Sequence, residues 1–432
     1  MNKTLVKALY KWSSLFIYIA VAICCISRSA MYLPDSEGYL NMSIIRSAAY
    51  PLFLNTVKLV FGSWFETAIV ILQTLLGLLA VDYFIKKIKA VIHLHNLWYL
   101  LLTILLLTPY VYNHLVANYI LSEALAYPLY LVIVAQLMCI TLTKNPKDFK
   151  FALPLMFILM LTRSQFLYLV PVAMLVWFYI SYRPKSYKLN TWLLIALICL
   201  PFLTSLADKS YHSLKHDYFV STPWTGIVVI SAPLYVADEE DATVFTSESE
   251  QEYFNKVYEA LQRKHLNIYH LDPAYQSETS LPYINSYTSI ANETVLPVAQ
   301  SHVGNQLSYN ETLIEVDQLT RQMAMPLLLD NFKPWCQLYL KNVIHAFGNA
   351  RYFLLMIMLL LAAMISVYRT TSHASLAMAL GLLLLFANIA VVAIGIHTVK
   401  RYTFYNDWVI FFVLFVLIHA FMHPKNTIEK PQ

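Results

Sequence analysis

Two carboxylates, a glycine, a tyrosine and an arginine stand close together in Pro34-Asp35-Ser36-Glu37-Gly38-Tyr39 and the run from Arg46 to Leu54, directly behind the first apolar segment. Ionisable groups beside a bilayer are costly and are usually retained for function. A carboxylate such as Asp35 or Glu37 at the mouth of a cavity can take a proton from a hydroxyl while that oxygen attacks a carbon, which is general-base work. The same stretch has a plainer reading. Asp35 or Ser36 caps a short interfacial helix from Glu37 to Arg46, with Glu37 near its positive end. Spacing leaves both readings open, and they are compatible.

Other polar groups at segment ends extend the set. Arg46 precedes Ala49-Tyr50-Pro51-Leu52-Phe53-Leu54; a guanidinium there forks onto an anionic head group, or snorkels and anchors an amphipathic helix. Arg163, in Thr162-Arg163-Ser164-Gln165, has no acid beside it in sequence. It needs an anion, and a lipid phosphate or a loop carboxylate would serve; ordinary interfacial anchoring is the alternative. His397, Lys400, Arg401 and Tyr402 form one short outward loop whose adjacent cations break the positive-inside pattern, and a local breach of a general rule tends to mark a functional site. Glu123, after Leu121-Ser122, starts a helix, where the helix dipole alone accounts for a carboxylate.

The elements that must position these groups are membrane helices. The chain has 432 residues, 59% of them hydrophobic and 13% charged, with a mean hydropathy of +0.55, which is too apolar for an ordinary soluble protein. Apolar runs occupy 12–27, 65–85, 97–110, 119–141, 151–161, 166–181, 189–206, 352–368, 376–396 and 408–422, so an all-α polytopic protein with about ten spans is expected. Lys86, Lys87 and Lys89, then Lys144, Lys147 and Lys150, then Arg183, Lys185 and Lys188, then Arg369, and finally Lys425 and Lys430 fall in the loops this count places inside. Both termini are then cytoplasmic. The break between 151–161 and 166–181 follows from the same rule, since one long kinked helix would turn the Arg183 loop outward.

Between Asp208 and Asn349 the chain carries seventeen Asp and Glu against eight Lys and Arg, leaving the remainder at +14. An acidic stretch of this length reads as a mainly α or mixed outer domain, 208–349, inserted between membrane modules 1–207 and 350–432. Ser247-x-x-Glu250 followed by Phe254, Val257, Tyr258 and Leu261 predicts a capped amphipathic helix. The Pro-, Tyr- and Ser-rich segment 272–289 reads as loop. Residues 331–347 place aromatics and Lys at helical spacing, as an interfacial helix does.

Several chemistries lack their signatures. There is no P-loop, GxGxxG, HExxH or GxSxG pattern. The five cysteines show no CxxC spacing, and no basic patch interleaved with aromatics suggests nucleic-acid binding. No internal repeat of the kind many transporters carry is seen.

Asp35 to Tyr39, the Arg46–Leu54 run, the Ser122-Glu123 helix start, the Thr162-Arg163 junction and the late Arg401-Tyr402 pair together resemble the GT-C superfamily of integral-membrane glycosyltransferases. The likeness is to the branch containing protein O-mannosyltransferases and the lipid A aminoarabinose transferase, and it covers mainly the membrane half. The resemblance implies a polyprenyl-phosphate sugar donor, an outward-facing active site and inverting transfer by direct displacement; a glycan, lipid or protein acceptor is expected with it, and a plasma membrane is preferred as host over an endoplasmic reticulum. It makes Asp35 the base with Glu37 beside it. It makes Arg163, Lys400, Arg401 and Arg46 candidates for the donor phosphate, and Tyr39, Tyr50, Glu123, His397 and Tyr402 lining groups. Many relatives set two acids side by side, whereas Ser36 separates Asp35 from Glu37 here. Some branches use a divalent metal, for which this sequence offers no strong ligand set. The rival expectations are a transporter or flippase for a lipid-linked sugar, which should carry its ionisable groups at mid-membrane, and a non-catalytic assembly subunit.

Overall fold

The computed structural model describes residues 3–182, 187–276, 278, 280–304, 306–370 and 372–422. No strand occurs among them; a single parallel bridge links Met31 and Tyr119. The Arg183 and Lys185 turn and the terminal Lys425 and Lys430 lie outside the described residues. Two units emerge, one made of Met1–Asp208, Ile357–Ala387 and Phe404–Gln432, the other of Lys209–Met356 and Asn388–Thr403.

The first unit contains α1 (Lys3–Ile26), α2 (Pro34–Leu40), α3 (Ala49–Phe61), α4 (Phe65–Val91), α5 (Asn96–Val111), α6 (Glu123–Thr143), α7 (Phe149–Thr162), α8 (Leu169–Tyr182) and most of α9 (Tyr187–His216). The helix α6 is apolar on every face, and such a helix belongs inside a bundle. It packs along α4 and against α7, with Tyr127, Tyr130, Leu131 and Val134 fully buried. Between α4 and α5, Gly77 leaves room for the Tyr110 side chain, which would collide with any Cβ there. Extended backbone at Arg163 (φ −154°, ψ 119°) ends α7, and a 3-10 turn over Ser164–Tyr168 leads into α8.

The second unit is built from α10 (Thr225–Val236), α11 (Glu248–Arg263), α12 (Ser280–Ile290), α13 (Leu296–Val303), α14 (Tyr309–Asp330) and α15 (Phe332–Ala346). Its core gathers Tyr235, Tyr253, Phe254, Val257, Leu261, Tyr283 and Met323. Gly226 lets α10 cross α14 against Thr320 and the Asp317 carbonyl. The Gly226 N–H donates to Asp317 Oδ1 at 2.6 Å, so a side chain of another helix caps α10. Burial pushes the Asp317 carboxyl up, and the bonds from Gly226 and Arg321 oppose that.

The remaining helices are α16 (Ala350–Thr370), α17 (His373–Gly395), α18 (Lys400–Thr403) and α19 (Asp407–Met422). Seven segments among the described residues are long and apolar enough to cross a bilayer: Ala49–Val91, Glu123–Thr143, Ser164–Tyr182, Thr191–His216, Ala350–Thr370, His373–Gly395 and Lys400–Met422. The runs expected at 12–27, 97–110 and 151–161 fall on shorter apolar helices, Tyr10–Ile26, Asn96–Val111 and Phe149–Thr162. Segment 272–289, expected as loop, holds a 3-10 turn at Pro273–Tyr275 and most of α12. Its Tyr283 and Tyr287 are drawn into the core, and tertiary packing overrides the local turn signals. The helix expected after Ser247 forms as α11, but Ser247 makes no cap bond; the Gln251 amide reaches back to the Phe245 carbonyl instead, at 2.7 Å. A reciprocal capping box operates at Ser308 and Glu311, starting α14. The helix expected over 331–347 is α15.

Candidate functional site: two ion pairs joined by hydroxyls

The helix α2 is local in origin. Leu33 is extended (φ −116°, ψ 168°) and Pro34 opens the first turn with its φ already helical. Ser36 Oγ accepts the Leu33 N–H at 2.9 Å. Asp35 and Glu37 sit in that first turn, where the helix dipole favours negative charge. Neither expected cap forms, because the helix starts at Pro34, ahead of both Asp35 and Ser36, and ends at Leu40 rather than running from Glu37 to Arg46; Ser36 reaches back from inside the first turn, and Asp35 is left to face a neighbour.

That neighbour is Arg46. Its Nη2 lies 2.8 Å from Asp35 Oδ1, with the two side chains 20% and 33% exposed. The guanidinium also covers the Tyr39 ring at 4.6 Å, a cation–π contact. Gly38 makes this geometry fit, since a Cβ there would lie 2.8 Å from Arg46 Nε. Glu37, by contrast, is exposed and receives a long 3.4 Å contact from Asn41.

Beneath this pair lies a second. Arg163 Nη1 is 2.9 Å from Glu123 Oε1, and the side chains are 10% and 7% exposed. The extended backbone at the α7 break aims Arg163 at the start of α6, and Arg163 Nε also donates to Gln165 Oε1 at 3.3 Å. The anion that Arg163 requires is therefore Glu123, a carboxylate forty residues away that looked like a simple helix-start acid. A buried pair of this kind is costly to assemble and more costly to break from one side.

Hydroxyls join the pairs. The Tyr39 and Ser122 hydroxyls share a 3.0 Å hydrogen bond, and Arg163 Nη1 donates to Ser122 Oγ at 3.1 Å. Tyr50 meets Tyr39 edge to face at 5.2 Å. Tyr50 donates to Gln73 Oε1 at 2.9 Å, and Gln73 Nε2 donates to the Ala117 carbonyl at 2.8 Å. Gln73 was not singled out in the sequence; the signal available was an amide inside the apolar run 65–85. At the rim, the Tyr32 hydroxyl donates to Glu66 Oε1 at 2.7 Å. Burial, with the Glu66 bond second, pushes Tyr32 up to about 12, so it stays a neutral donor.

The structure thus brings Asp35, Tyr39, Arg46, Tyr50, Glu123 and Arg163 into one connected cluster within the first unit. His397, Lys400, Arg401 and Tyr402 belong to the second unit. There His397 Nδ1–H donates to the Ile284 carbonyl at 3.0 Å, and its ring lies 4.6 Å from that of Tyr287. Burial, with Arg401 adding to it, lowers the His397 pKa. Lys400 is exposed, and the Tyr402 carbonyl accepts from Asn388 at 3.1 Å.

Asp35 and Glu123 each face a guanidinium, which is poor company for a cation. Among the described residues no three His, Cys, Asp or Glu side chains gather as a metal ligand set, so the residues at hand do not fit a divalent ion. The arrangement can hold a partly exposed carboxylate in place, present a guanidinium beside it, and fix both from below through neutral hydroxyls. Comparison with protein-family models, with curated proteins and with solved structures gives no match.

Proposed function

We propose that this chain is a membrane glycosyltransferase of GT-C type that moves a sugar from a polyprenyl phosphate to an acceptor hydroxyl, with Asp35 as the base. The observation that carries the reading is the chain of contacts Asp35–Arg46–Tyr39–Ser122–Arg163–Glu123. It gathers polar residues from α2, the turn before α3, the start of α6 and the break after α7 into a chain with one carboxylate at its partly exposed end. A purely structural ion pair does not call for that continuity.

In this reading Asp35 takes the acceptor O–H proton as the acceptor oxygen bonds to the anomeric carbon. The bond from that carbon to phosphate breaks on the opposite face, and its electron pair leaves with the phosphate, inverting the centre. Arg46 has two parts to play. At rest it pairs with Asp35; when a donor phosphate arrives it turns toward that anion, and Asp35 becomes the stronger base for losing its counter-ion. Charge developing on the leaving phosphate is stabilised by preformed cations. Arg163, neutralised by Glu123, holds the floor of the site. The finer topology proposed with it is about ten spans, counting the shorter apolar helices, with both termini cytoplasmic, the second unit outside and the plasma membrane as host.

A second reading, a flippase for lipid-linked sugars, draws on the buried Glu123–Arg163 pair, because paired charges within membrane segments also mark transport routes. One experiment separates them. Purified protein in lipid is given a panel of radiolabelled polyprenyl-phosphate sugars. Donor consumption, by transfer or by slow hydrolysis, supports the transferase. Tight donor binding without consumption, together with movement of labelled donor between leaflets, supports the flippase.

A further inference from the structure

We propose that the second unit carries a binding cleft for a neutral oligosaccharide, between the C-terminal end of α11 and the loop over residues 265–276. The cleft has a volume of about 400 Å³, within the range of roughly 300–1,000 Å³ typical of ligand sites. Gln262, His265, His270, Asp272 and Gln276 line it, with Leu271 and Pro273 as its apolar part.

The loop is held rigid by its own polar groups. Asn267 is fully buried and donates to the Leu234 and Ala237 carbonyls at 3.2 and 2.8 Å. Its Oδ1 accepts the Tyr269 N–H at 2.9 Å, and Asp272 Oδ1 accepts the Ala274 N–H at 2.9 Å. Both imidazoles are oriented: His265 Nδ1–H donates to the His270 carbonyl at 3.0 Å, and His270 Nε2 meets the Tyr258 hydroxyl at 3.1 Å. His265 accepts a left-handed backbone (φ 55°) to sit there. A loop ordered in advance loses little entropy when a ligand arrives.

The chemistry of the lining selects the ligand. Two carboxamides, two imidazoles and one carboxylate offer donors and acceptors side by side, which suits vicinal hydroxyls. No Lys or Arg is among the lining residues, and the nearby Lys264 is turned onto the Glu293 carbonyl at 2.8 Å and Thr294 Oγ1 at 3.0 Å. An anionic sugar or a phosphate would meet no Lys or Arg in the lining. Leu271 and Pro273 give the cleft an apolar wall, against which the apolar face of a pyranose ring can lie. As an acceptor subsite this inference rests on the transferase reading; as a glycan site it stands apart from it.

The test is saturation-transfer NMR on the full-length protein in lipid nanodiscs, with maltotetraose, chitotetraose, α-mannotetraose and an anionic tetragalacturonate as probes. At least one neutral tetrasaccharide should bind. Gln262→Ala, Asp272→Asn and Gln276→Ala, all at exposed lining residues, should each weaken it at least fivefold, while Asp35→Asn leaves it unchanged. Failure of every neutral probe to bind, binding that survives all three cleft substitutions, or preference for tetragalacturonate would overturn the inference. Because Asp35→Asn reads the other site, loss of donor consumption and loss of glycan binding report on separate claims.

Discussion

The hydroxyls of Tyr39 and Ser122, 83 positions apart in the chain, share a 3.0 Å hydrogen bond inside the first unit. Through it the partly exposed pair Asp35–Arg46 is tied to the buried pair Glu123–Arg163. Tyr39 carries Arg46 on its ring, and Ser122 takes a bond from Arg163. The position of Asp35 therefore depends on residues that never touch it.

Tyr39→Phe keeps the ring under Arg46 and removes the hydroxyl. Ser122 then loses a partner in a buried setting, at a cost of about 1–2 kcal/mol. Donor consumption should fall roughly tenfold with the helical signal unchanged. Activity equal to wild type would show that the link to Ser122 does not set the site.

Removing one side of the buried pair should cost more stability than removing both. Arg163→Met or Glu123→Gln alone leaves a buried group without its partner and should destabilise by about 3–5 kcal/mol. The double variant should recover most of that, read as thermal midpoints of purified protein in detergent. If the single losses simply add in the double variant, the two residues are not energetically coupled.

Gly38→Ala places a methyl group 2.8 Å from Arg46 Nε. The guanidinium, the far end of a flexible and partly exposed side chain, must shift, at little cost to stability, and Asp35 loses its alignment. A fall in donor consumption with little change in donor affinity is expected. Unchanged turnover would mean that the Asp35–Arg46 geometry is not needed.

The second unit should weaken as pH falls from 7.5 toward 6. Burial is the first cause lowering the pKa of His302, His345 and His397 below the usual 6.5. In the unfolded chain these imidazoles take up protons near pH 6.5, while in the folded chain they stay neutral to lower pH. Stability is complete above about 6.5 and is lost as pH drops toward the folded values. Burial, the first cause, raises the carboxyls of Asp241 and Asp317, which act in the opposite sense. Thermal midpoints should decline over pH 7.5 to 6, and His397→Asn should flatten the decline. A midpoint independent of pH over that range would contradict this.

Composition made the helical, membrane-embedded class legible, and the charged stretch around Asp35 pointed to the turn where one end of the polar cluster lies. What stayed hidden was pairing across distance. Nothing near Arg163 in sequence points to Glu123, because the break after α7 and the start of α6 meet only in the packed bundle. Capping misled for a similar reason: Ser247 and Ser308 carry the same pattern, yet only Ser308 closes its box. Tyr283 and Tyr287 looked like turn residues because their core partners, Tyr235 and His397, are far away in the chain. Gly38 was visible as a glycine, but its purpose, room for Arg46, required the fold.

The most direct measurement is donor consumption by Asp35→Asn beside wild type, on whichever polyprenyl-phosphate sugar the panel identifies, with donor affinity measured on the same samples. Asn keeps the size of Asp and a hydrogen-bonding oxygen for Arg46 but cannot serve as the base. The account predicts turnover lowered at least a hundredfold with donor affinity within a few-fold of wild type. Turnover equal to wild type would contradict it.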